Sequence, residues 1–329
     1  MKFAMRIGVD IGGTKVSCAL VGEDQTILSK VSFDTRGGRP YTEVLRDIAD
    51  SIYSVLDLAG IQLDEVKAIG LGCPGILDQQ KGEVIYSNNI AWEHVPLVKT
   101  LQSYVPKEVY IDNDANCAAL GEYLCGASQG TSSSVTVTLG TGVGGGIILG
   151  GQIHSGFNSA ANAIGHKVIV SGGVPCTCGR RGCWESYASI TALIRMAEEM
   201  AAQFPESLLA EVKRRSGQFN GKNIFDTARL NDSAALKLLD QYFYYVSEGI
   251  IDIINIFQPE MIVIGGGISS EGDYLLQPIL AYVKKGVYCK QVPLPQITIA
   301  KLNNDAGLIG AAYLHGYQAT VVKQGIQRV

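Results

Sequence analysis

The sequence predicts an α/β protein with two domains, and three observations support this fold class. Short apolar segments typical of buried strands alternate with longer segments of helical periodicity. The 329 residues exceed the usual size of a single hydrophobic core. A strand that ends in a glycine-rich turn and returns as a second strand occurs twice, so we expect two similar halves with a cleft between their turns.

The first half begins with such a strand–turn–strand unit. Met5–Asp10 is a short apolar strand, Gly12–Lys15 is the turn, and Val16–Val21 is the returning strand. The apolar residues of Tyr41–Leu58 recur on one helical stripe, which predicts a helix that ends at Gly60.

Two further strands are predicted at Ala68–Cys73 and Glu108–Asp112. The second of them brings Asn113 and Asp114 to its carboxyl end, where a helix over Ala115–Leu124 begins. Ligands of open α/β sheets bind at such strand ends, so this junction is a candidate site.

The second half repeats the opening pattern at Val135–Leu149, where two apolar strands flank a run of glycines. The other predicted elements are helices at Ser186–Phe204, Ala234–Ile256 and Ala306–Tyr317, and strands at Met261–Ile264 and Ile297–Ala300.

Three glycine-rich turns each follow a predicted strand. Glycine lets backbone N–H groups approach a phosphate, and Thr14 and Thr141 add hydroxyl donors, although tight turns without a ligand are an alternative. Gly140–Gly145 has the G-x-G-x-x-G spacing of dinucleotide sites, but a strand follows it instead of a helix, and no P-loop pattern occurs. The candidate phosphate-binding residues are Gly12, Gly13, Thr14, Lys15, Gly140, Thr141, Gly142, Gly265, Gly266 and Gly267.

Two aspartates lie at predicted strand ends. The carboxylate of Asp10 would repel a phosphate unless it held a cation, which predicts a Mg²⁺ site, with capping of the turn as the alternative. Asp114 is a candidate base for the proton of an attacking hydroxyl, with Asn113 as an amide that fixes the substrate. Helix N-capping is an equally good explanation of these residue types.

Three of the eight cysteines lie close together and predict a metal site instead of disulfides. Cys176, Cys178 and Cys183, together with His166, supply a complete tetrahedral ligand set for structural zinc. A group of free thiols on a loop is the alternative. Zinc would also orient Glu185, which follows the last cysteine by two residues.

Composition argues against two classes of partner. A net charge of −4 and a pI near 5.6 leave no basic stripe for nucleic acid. The apolar segments are too short to cross a bilayer, and the N-terminus has no secretion signal. We therefore expect a cytoplasmic protein that binds neither nucleic acid nor membranes.

Taken together, the motifs resemble those of the ROK family of sugar kinases and sugar-responsive repressors. The resemblance extends over most of the chain, and the cysteine motif with its upstream Gly-His is specific to the family. The matching stretches are Asp10–Lys15, Cys73–Gly75, Asn89–Trp92, Asn113–Asn116, Leu139–Gly146, Gly165–His166, Cys176–Glu185 and Val263–Gly267.

This resemblance implies an actin-like, ribonuclease H-like fold with ATP in a cleft between two lobes. Residues 1–116 and 305–329 would form the small lobe, and residues 117–304 the large one. It also implies ATP on the glycine turns, Mg²⁺, structural zinc, a dimer or tetramer, and a glucokinase-like phosphorylation of a hexose or related polyol with Asp114 as the base. The implied sugar contacts are Asn89, Asn113, Asp114, Asn158, His166 and Glu185.

One position departs from the family pattern. Kinases of the family usually carry Glu-x-Gly-His preceded by Gly, whereas Ala163 and Asn162 occupy the Glu and Gly positions here. Loss of the acidic sugar contact should weaken glucose binding by roughly 1.5–3 kcal/mol. Three explanations stay open: a substrate without that hydroxyl or with it inverted, a substitute contact from Asn162, or a sensing or engineered variant with little turnover.

Two other functions compete with a kinase. A repressor of this family would need a winged helix-turn-helix ahead of the first strand, and only four residues precede Met5, so we expect no DNA binding. A sugar-binding module without catalysis is the other candidate. Retention of Asp10, Thr14, Asp114 and Thr141 favours the kinase, because a module without turnover has no physical need of them.

Overall fold

The structure is a computed structural model that describes residues 5–323, including the side chains of residues 5–317. The chain divides into two compact units. In the described range the first unit comprises residues 5–136, 146–162 and 301–323, and the second comprises residues 137–145 and 163–300.

Strands and helices alternate along much of the chain. The strands are β1 (Met5–Ile11), β2 (Lys15–Val21), β3 (Ile27–Asp34), β4 (Val66–Cys73), β5 (Ile76–Asp78), β6 (Glu83–Ser87), β7 (Trp92–Val95), β8 (Val109–Asn113), β9 (Ser133–Leu139), β10 (Val143–Leu149), β11 (Gln152–Ile153), β12 (Met261–Gly265) and β13 (Gln296–Ile299). The helices are α1 (Tyr41–Ala59), α2 (Leu97–Gln102), α3 (Asp114–Cys125), α4 (Glu185–Ala188), α5 (Ile190–Gln203), α6 (Leu208–Ser216), α7 (Gly221–Arg229), α8 (Ser233–Phe257), α9 (Asp273–Gly286) and α10 (Ala306–Lys323).

The first unit is built on a five-stranded sheet of order β3-β2-β1-β4-β8. β1 pairs antiparallel with β2 and parallel with β4, and β4 pairs parallel with β8. Helix α1 packs on β2 and β3 through a buried stripe that includes Val44, Ile48 and Ile52, because these residues recur at the helical period. The antiparallel strands β5, β6 and β7 form a separate small sheet.

Helix α10 packs against β1, β4 and α3 with almost no space between the backbones. A Cβ atom added at Gly8 would lie 1.9 Å from the carbonyl oxygen of Leu308, and one at Gly70 would lie 1.8 Å from that of Ala311. These two strand positions therefore require glycine for close approach of the helix.

A second five-stranded sheet has the order β11-β10-β9-β12-β13, and the boundaries between the units fall within β9 and β10. In the second unit, β12 pairs parallel with β13. Helix α8 is the longest element, with 25 residues, and its buried stripe packs against α5, α7 and α9. None of the helices in the described range combines the length and apolar character needed to cross a membrane.

Most predicted strands and helices are present within two residues of their predicted ends. One prediction is wrong: the single helix over Ser186–Phe204 is two helices, α4 and α5. Ser189 separates them because it adopts extended backbone and its side chain accepts a hydrogen bond from Ala192 N, as an N-cap does. The predicted boundary after Asn116 falls inside α3, and the predicted domain limits remain a prediction.

Candidate functional site

The strand ends of the first unit bring three aspartates to one edge of its sheet. In the register of the parallel strands, Asp10 of β1 pairs with Gly72 of β4, and Gly72 pairs with Asp112 of β8. Asp114 follows β8 as the first residue of α3. A Cβ atom at Gly72 would lie 3.2 Å from Cys117 Sγ, so the absence of a side chain there helps α3 to pack closely against β4.

Two roles were open for Asn113 and Asp114 at the start of α3, namely helix N-capping and a part in the reaction. Asn113 is the N-cap: its Oδ1 accepts a hydrogen bond from Ala115 N at 2.9 Å, and its Nδ2 donates to the carbonyl of Gly75 at 3.2 Å. The Asp114 carboxylate also accepts from Ala115 N, at 2.9 Å. Since Asn113 already supplies the cap, Asp114 is not needed for that purpose.

The electrostatics of this edge favour a bound cation. Burial and the nearby Asp114 carboxylate raise the pKa of Asp10 from 3.8 to about 7, and the Lys30 ammonium lowers it. Burial raises the pKa of Asp114, and it raises the pKa of Asp112 to about 6. Two carboxylates that repel each other are stabilised by a divalent cation, and carboxylate oxygens are ligands that Mg²⁺ accepts.

Behind Asp114 lies a chain of polar side chains that the sequence analysis missed. Asp112 Oδ1 accepts from Asn113 N at 2.7 Å and from Asn116 Nδ2 at 2.9 Å. Asn116 Oδ1 in turn accepts from Asn162 Nδ2 at 2.8 Å, and this amide also donates to the carbonyl of His154. The spacing of Asp112 and Asn116, four residues apart at a helix start, was the one signal available in the sequence.

The first glycine turn, Gly12–Lys15, is closed by hydrogen bonds that leave Gly13 and Thr14 exposed. Gly12 N donates to the carbonyl of Lys15 at 2.9 Å. A Cβ atom at Gly13 would lie 2.9 Å from the carbonyl oxygen of Asn89, so the predicted sugar contact Asn89 lies directly against this turn. Asn158, another predicted sugar contact, is exposed and accepts weakly from Ala160 N at 3.3 Å.

In the second unit, the second glycine turn (Gly140–Gly142) connects β9 to β10. Gly140 N donates to the carbonyl of Gly142 at 3.0 Å, and the next amide, Val143 N, donates to Glu185 Oε2 at 2.9 Å. The third glycine turn follows β12, where Gly266 has a φ of 86° and a Cβ atom would lie 2.3 Å from the carbonyl oxygen of Leu139. Glycine is therefore required at residue 266 by conformation and by space.

The four predicted metal ligands of the second unit come together. The ligand atoms of His166, Cys176, Cys178 and Cys183 all lie within 4.8 Å of one another. His166 Nδ1 is 3.6 Å from Cys176 Sγ, and Cys178 Sγ is 3.6 Å from Cys183 Sγ. Zinc bonds of about 2.0–2.3 Å place tetrahedral ligand atoms roughly 3.5–3.8 Å apart. The separation fits zinc and is too long for a disulfide of about 2.05 Å.

The two cysteines of this pair differ in acidity. Hydrogen bonding from the backbone of Arg180 lowers the pKa of the Cys178 thiol, whereas burial raises that of Cys183 to about 12. A buried thiol keeps its proton at neutral pH unless a metal displaces it. The chemistry of the set, three sulfur atoms and one imidazole, fits the ligand requirements of structural zinc.

Comparison with known proteins decides the family. A sequence model of the ROK family matches residues 6–317. The chain belongs to the ROK family. It is 37% identical over 320 residues to a glucokinase of Halalkalibacterium halodurans, covering 97% of each chain.

Solved ROK structures have the same fold. A ROK glucokinase of Streptomyces griseus in complex with glucose and AMPPNP is 35% identical, with a TM-score of 0.83 over 94% of this chain and 99% of that one. A ROK hexokinase of Thermus thermophilus is 30% identical, with a TM-score of 0.80 over 98% of this chain and 100% of that one. The predicted actin-like fold is thereby confirmed. A xylose repressor of Bacillus spizizenii is 28% identical over 94% of this chain and 76% of that protein.

Proposed function

We propose that this ROK protein transfers the terminal phosphate of ATP to a hydroxyl of a hexose or related small sugar. The observation that carries the proposal is the meeting of Asp10 and Asp114 at one sheet edge, next to the first glycine turn. Identity of 37% to a glucokinase over nearly the whole chain supports the same reaction.

The phosphate donor would be bound by backbone groups. Glycine turns present N–H groups to a polyphosphate, and the exposed Thr14 supplies a hydroxyl in the first unit. In the second unit, the turns at Gly140–Gly142 and Gly265–Gly267 are the corresponding candidates. Asp10 would hold Mg²⁺, which neutralises the charge of the phosphate oxygens when bound.

Asp114 would take the proton from the attacking hydroxyl. A base must be ionised before it accepts a proton, and a raised pKa makes it a stronger base once ionised. Burial raises the pKa of Asp114 and so makes its carboxylate a better acceptor for the hydroxyl proton as the new phosphate–oxygen bond forms. Asn113 already accepts a hydrogen bond from Ala115 N and donates one to the carbonyl of Gly75. It would contact the substrate only through the remaining hydrogen-bonding capacity of its amide.

Structural zinc would fix the sugar-binding side of the second unit. His166 directs Nδ1 toward the thiols, which leaves Nε2 for a sugar hydroxyl. Glu185 would present its Oε1 to the sugar, because its Oε2 is bound to Val143 N. The expected dimer or tetramer and the cytoplasmic location remain predictions.

The identity of the sugar depends on residues 162 and 163. Ala163 is exposed and cannot accept a hydrogen bond through its side chain. Asn162 has a φ of 73°, a conformation that glycine adopts without strain and that asparagine tolerates. Its Nδ2 is bound to Asn116 and His154, and its buried Oδ1 has no hydrogen-bond partner within the described residues. Oδ1 is thus the atom that could replace the missing acidic contact.

A coupled assay of ADP release tests the proposal. The protein would be incubated with Mg-ATP and, separately, glucose, mannose, fructose, amino sugars, xylose and cyclitols. We expect ADP release that depends on the presence of at least one of these sugars. If the missing acidic contact matters for glucose, the KM for glucose should be higher than the KM for the preferred sugar. Absence of release with every sugar, together with measurable sugar binding by calorimetry, would favour the binding module.

A further inference from the structure

The segment from Glu185 to Thr191 holds the second glycine turn at three points. Glu185 Oε2 accepts from Val143 N at 2.9 Å. Ile190 N donates to the carbonyl of Gly140 at 2.8 Å, and Thr191 Oγ1 donates to the carbonyl of Thr141 at 2.7 Å. The bond from Ile190 satisfies the first amide of α5, which has no acceptor within its own helix.

The residues just before the ligand His166 also pack against the start of β10, which directly follows this turn. A Cβ atom at Gly165 would lie 2.1 Å from the carbonyl oxygen of Val143, and one at Gly145 would lie 2.1 Å from Cδ1 of Ile164. Gly165 directly precedes the ligand His166, and Glu185 follows the ligand Cys183 by two residues. The metal loop, residues 166–183, is therefore joined to the turn and the start of β10 at both of its ends.

The carboxylate of Glu185 lies directly against Gly142, so a side chain at residue 142 would displace it. A Cβ atom at Gly142 would lie 2.3 Å from Glu185 Oε2. The other oxygen, Oε1, lies 3.9 Å from Cys176 Sγ, so the carboxylate is placed between the turn and a metal ligand. A charged acceptor bound to a backbone N–H is among the stronger hydrogen bonds of a protein.

We infer that Glu185 is a positioning residue for the nucleotide, which holds the second glycine turn in its phosphate-binding shape and makes that shape depend on the metal loop. The inference rests on the proposed function and extends it, because a sugar contact alone would leave nucleotide binding unaffected. Metal in the Cys and His set would then tighten nucleotide binding, although no metal ligand contacts the turn through its own side chain.

Calorimetric binding of Mg-AMPPNP without sugar tests the inference on the full chain. Glu185→Ala removes the acceptor, and we expect a Kd at least about ten-fold higher than in the unaltered protein. Glu185→Gln retains one carbonyl oxygen and should recover part of that loss. Glu206→Ala, which removes the same charge from an exposed loop of the same unit, should leave the Kd unchanged.

A second pair of variants does not disturb the metal loop. Thr191→Val removes the hydroxyl that binds Thr141, whereas Thr191→Ser keeps it. We expect weaker nucleotide binding in the valine variant and recovery in the serine variant, with unfolding midpoints close to that of the unaltered protein. This pair remains informative if Glu185→Ala fails to fold.

The dependence on metal is tested by a double-mutant cycle. Cys178→Ser should lower the zinc content, measured by atomic absorption, and raise the Kd of Mg-AMPPNP. Because Glu185 transmits the effect, combining Cys178→Ser with Glu185→Ala should raise the Kd little beyond Glu185→Ala alone.

The outcomes separate the inference from the proposed function. If the unaltered protein binds no Mg-AMPPNP, the proposed kinase function is wrong, and the inference fails with it. If it binds and Glu185→Ala binds equally well, or if the two variants multiply their effects on Kd, the inference is wrong and the proposed function stands.

Discussion

Asp114 occupies the first position of α3, where burial and the helix terminus act on its carboxylate in opposite directions. Burial disfavours the charged form, while the free N–H groups of the first turn favour it. Burial is the stronger influence here, since it raises the pKa of Asp114. The carboxylate must be ionised to accept a proton, so turnover should fall as the pH decreases through this raised pKa.

Replacement of Asp114 tests its role directly. We expect Asp114→Asn to lower kcat by roughly 10²–10⁴, because the amide cannot accept the hydroxyl proton. Sugar binding, measured by calorimetry, should be largely retained, because the amide has nearly the shape of the carboxylate. Asp273→Asn, the same change at the exposed first position of α9, is the matched control. Near-normal turnover of Asp114→Asn would remove the residue from the role of base.

His315 of α10 gives the fold a dependence on pH. Its Nδ1 is buried without a hydrogen-bond partner among the described residues. Burial and the charges of Arg6 and Lys67 lower the pKa of His315 from 6.5 to about 4. Below pH 6.5 the unfolded chain therefore binds a proton that the folded protein does not, and stability is lost as the pH falls from 6.5 toward 4.

Substitution of His315 by glutamine should remove this part of the pH dependence. The measurement is the free energy of unfolding in urea for both proteins between neutral pH and pH 5. We expect the difference between them to change in favour of His315→Gln as the pH decreases. Parallel curves over this range would show that His315 does not titrate between the two states.

At the level of elements, the buried carboxylate of Glu122 connects α3 with the segment that precedes α10. Glu122 Oε2 accepts from Ala127 N at 2.7 Å and from Lys301 N at 3.2 Å, and Oε1 accepts from Leu302 N at 2.8 Å. Three backbone N–H groups from two segments far apart in the sequence thus share one carboxylate. The segment at Lys301 and Leu302 is also where the chain returns to the first unit.

Removal of that carboxylate should destabilise the protein. We expect Glu122→Ala to lower the free energy of unfolding by about 2–4 kcal/mol, because buried N–H groups lose their acceptor. Glu122→Gln keeps one acceptor oxygen and should have a smaller effect. Glu199→Ala on the exposed side of α5 is the matched control, with an expected change within about 0.5 kcal/mol. Equal urea midpoints for Glu122→Ala and the unaltered protein would contradict the assignment.

Element predictions from the sequence were accurate where a local pattern exists. Alternation or helical periodicity located β1, β4, α1 and α8 well. Strands β5, β6 and β7 were not predicted, and neither was β3, although its eight residues alternate between half-buried and exposed positions. The break at Ser189 was missed because the helical periodicity continues across it, although Ser189 has extended backbone and caps α5.

The residue types of the candidate site could be predicted from the sequence, whereas the contacts between these residues could be predicted less well. Asp10, Asp114 and the four metal ligands could be proposed from the sequence because their chemistry is visible in the motif itself, and their roles remain predictions. The contact of Asn162 with Asn116 spans 46 residues, and that of Glu185 with Val143 spans 42. Such contacts depend on the folded backbone, so no local sequence pattern predicts them.

For the molecule as a whole, the net charge bears on whether the protein binds DNA. The net charge is −4 at pH 7, whereas proteins that bind DNA without base contacts depend on an excess of lysine and arginine. We expect no rise in the fluorescence anisotropy of a labelled DNA duplex up to about 10 µM protein in low salt. Binding that weakens steeply as salt is added would contradict the prediction and favour a regulatory role.

The glycine-lined contact of α10 with β1 and β4 also affects the order of events during synthesis. The strands emerge from the ribosome early, but the helix that covers Gly8 and Gly70 follows only after residues 163–300 of the other unit. At translation rates of about 5–20 residues per second the interval is on the order of ten seconds or more. For that time the face of the sheet that α10 will cover is exposed, and exposed apolar surface of this kind is prone to aggregation.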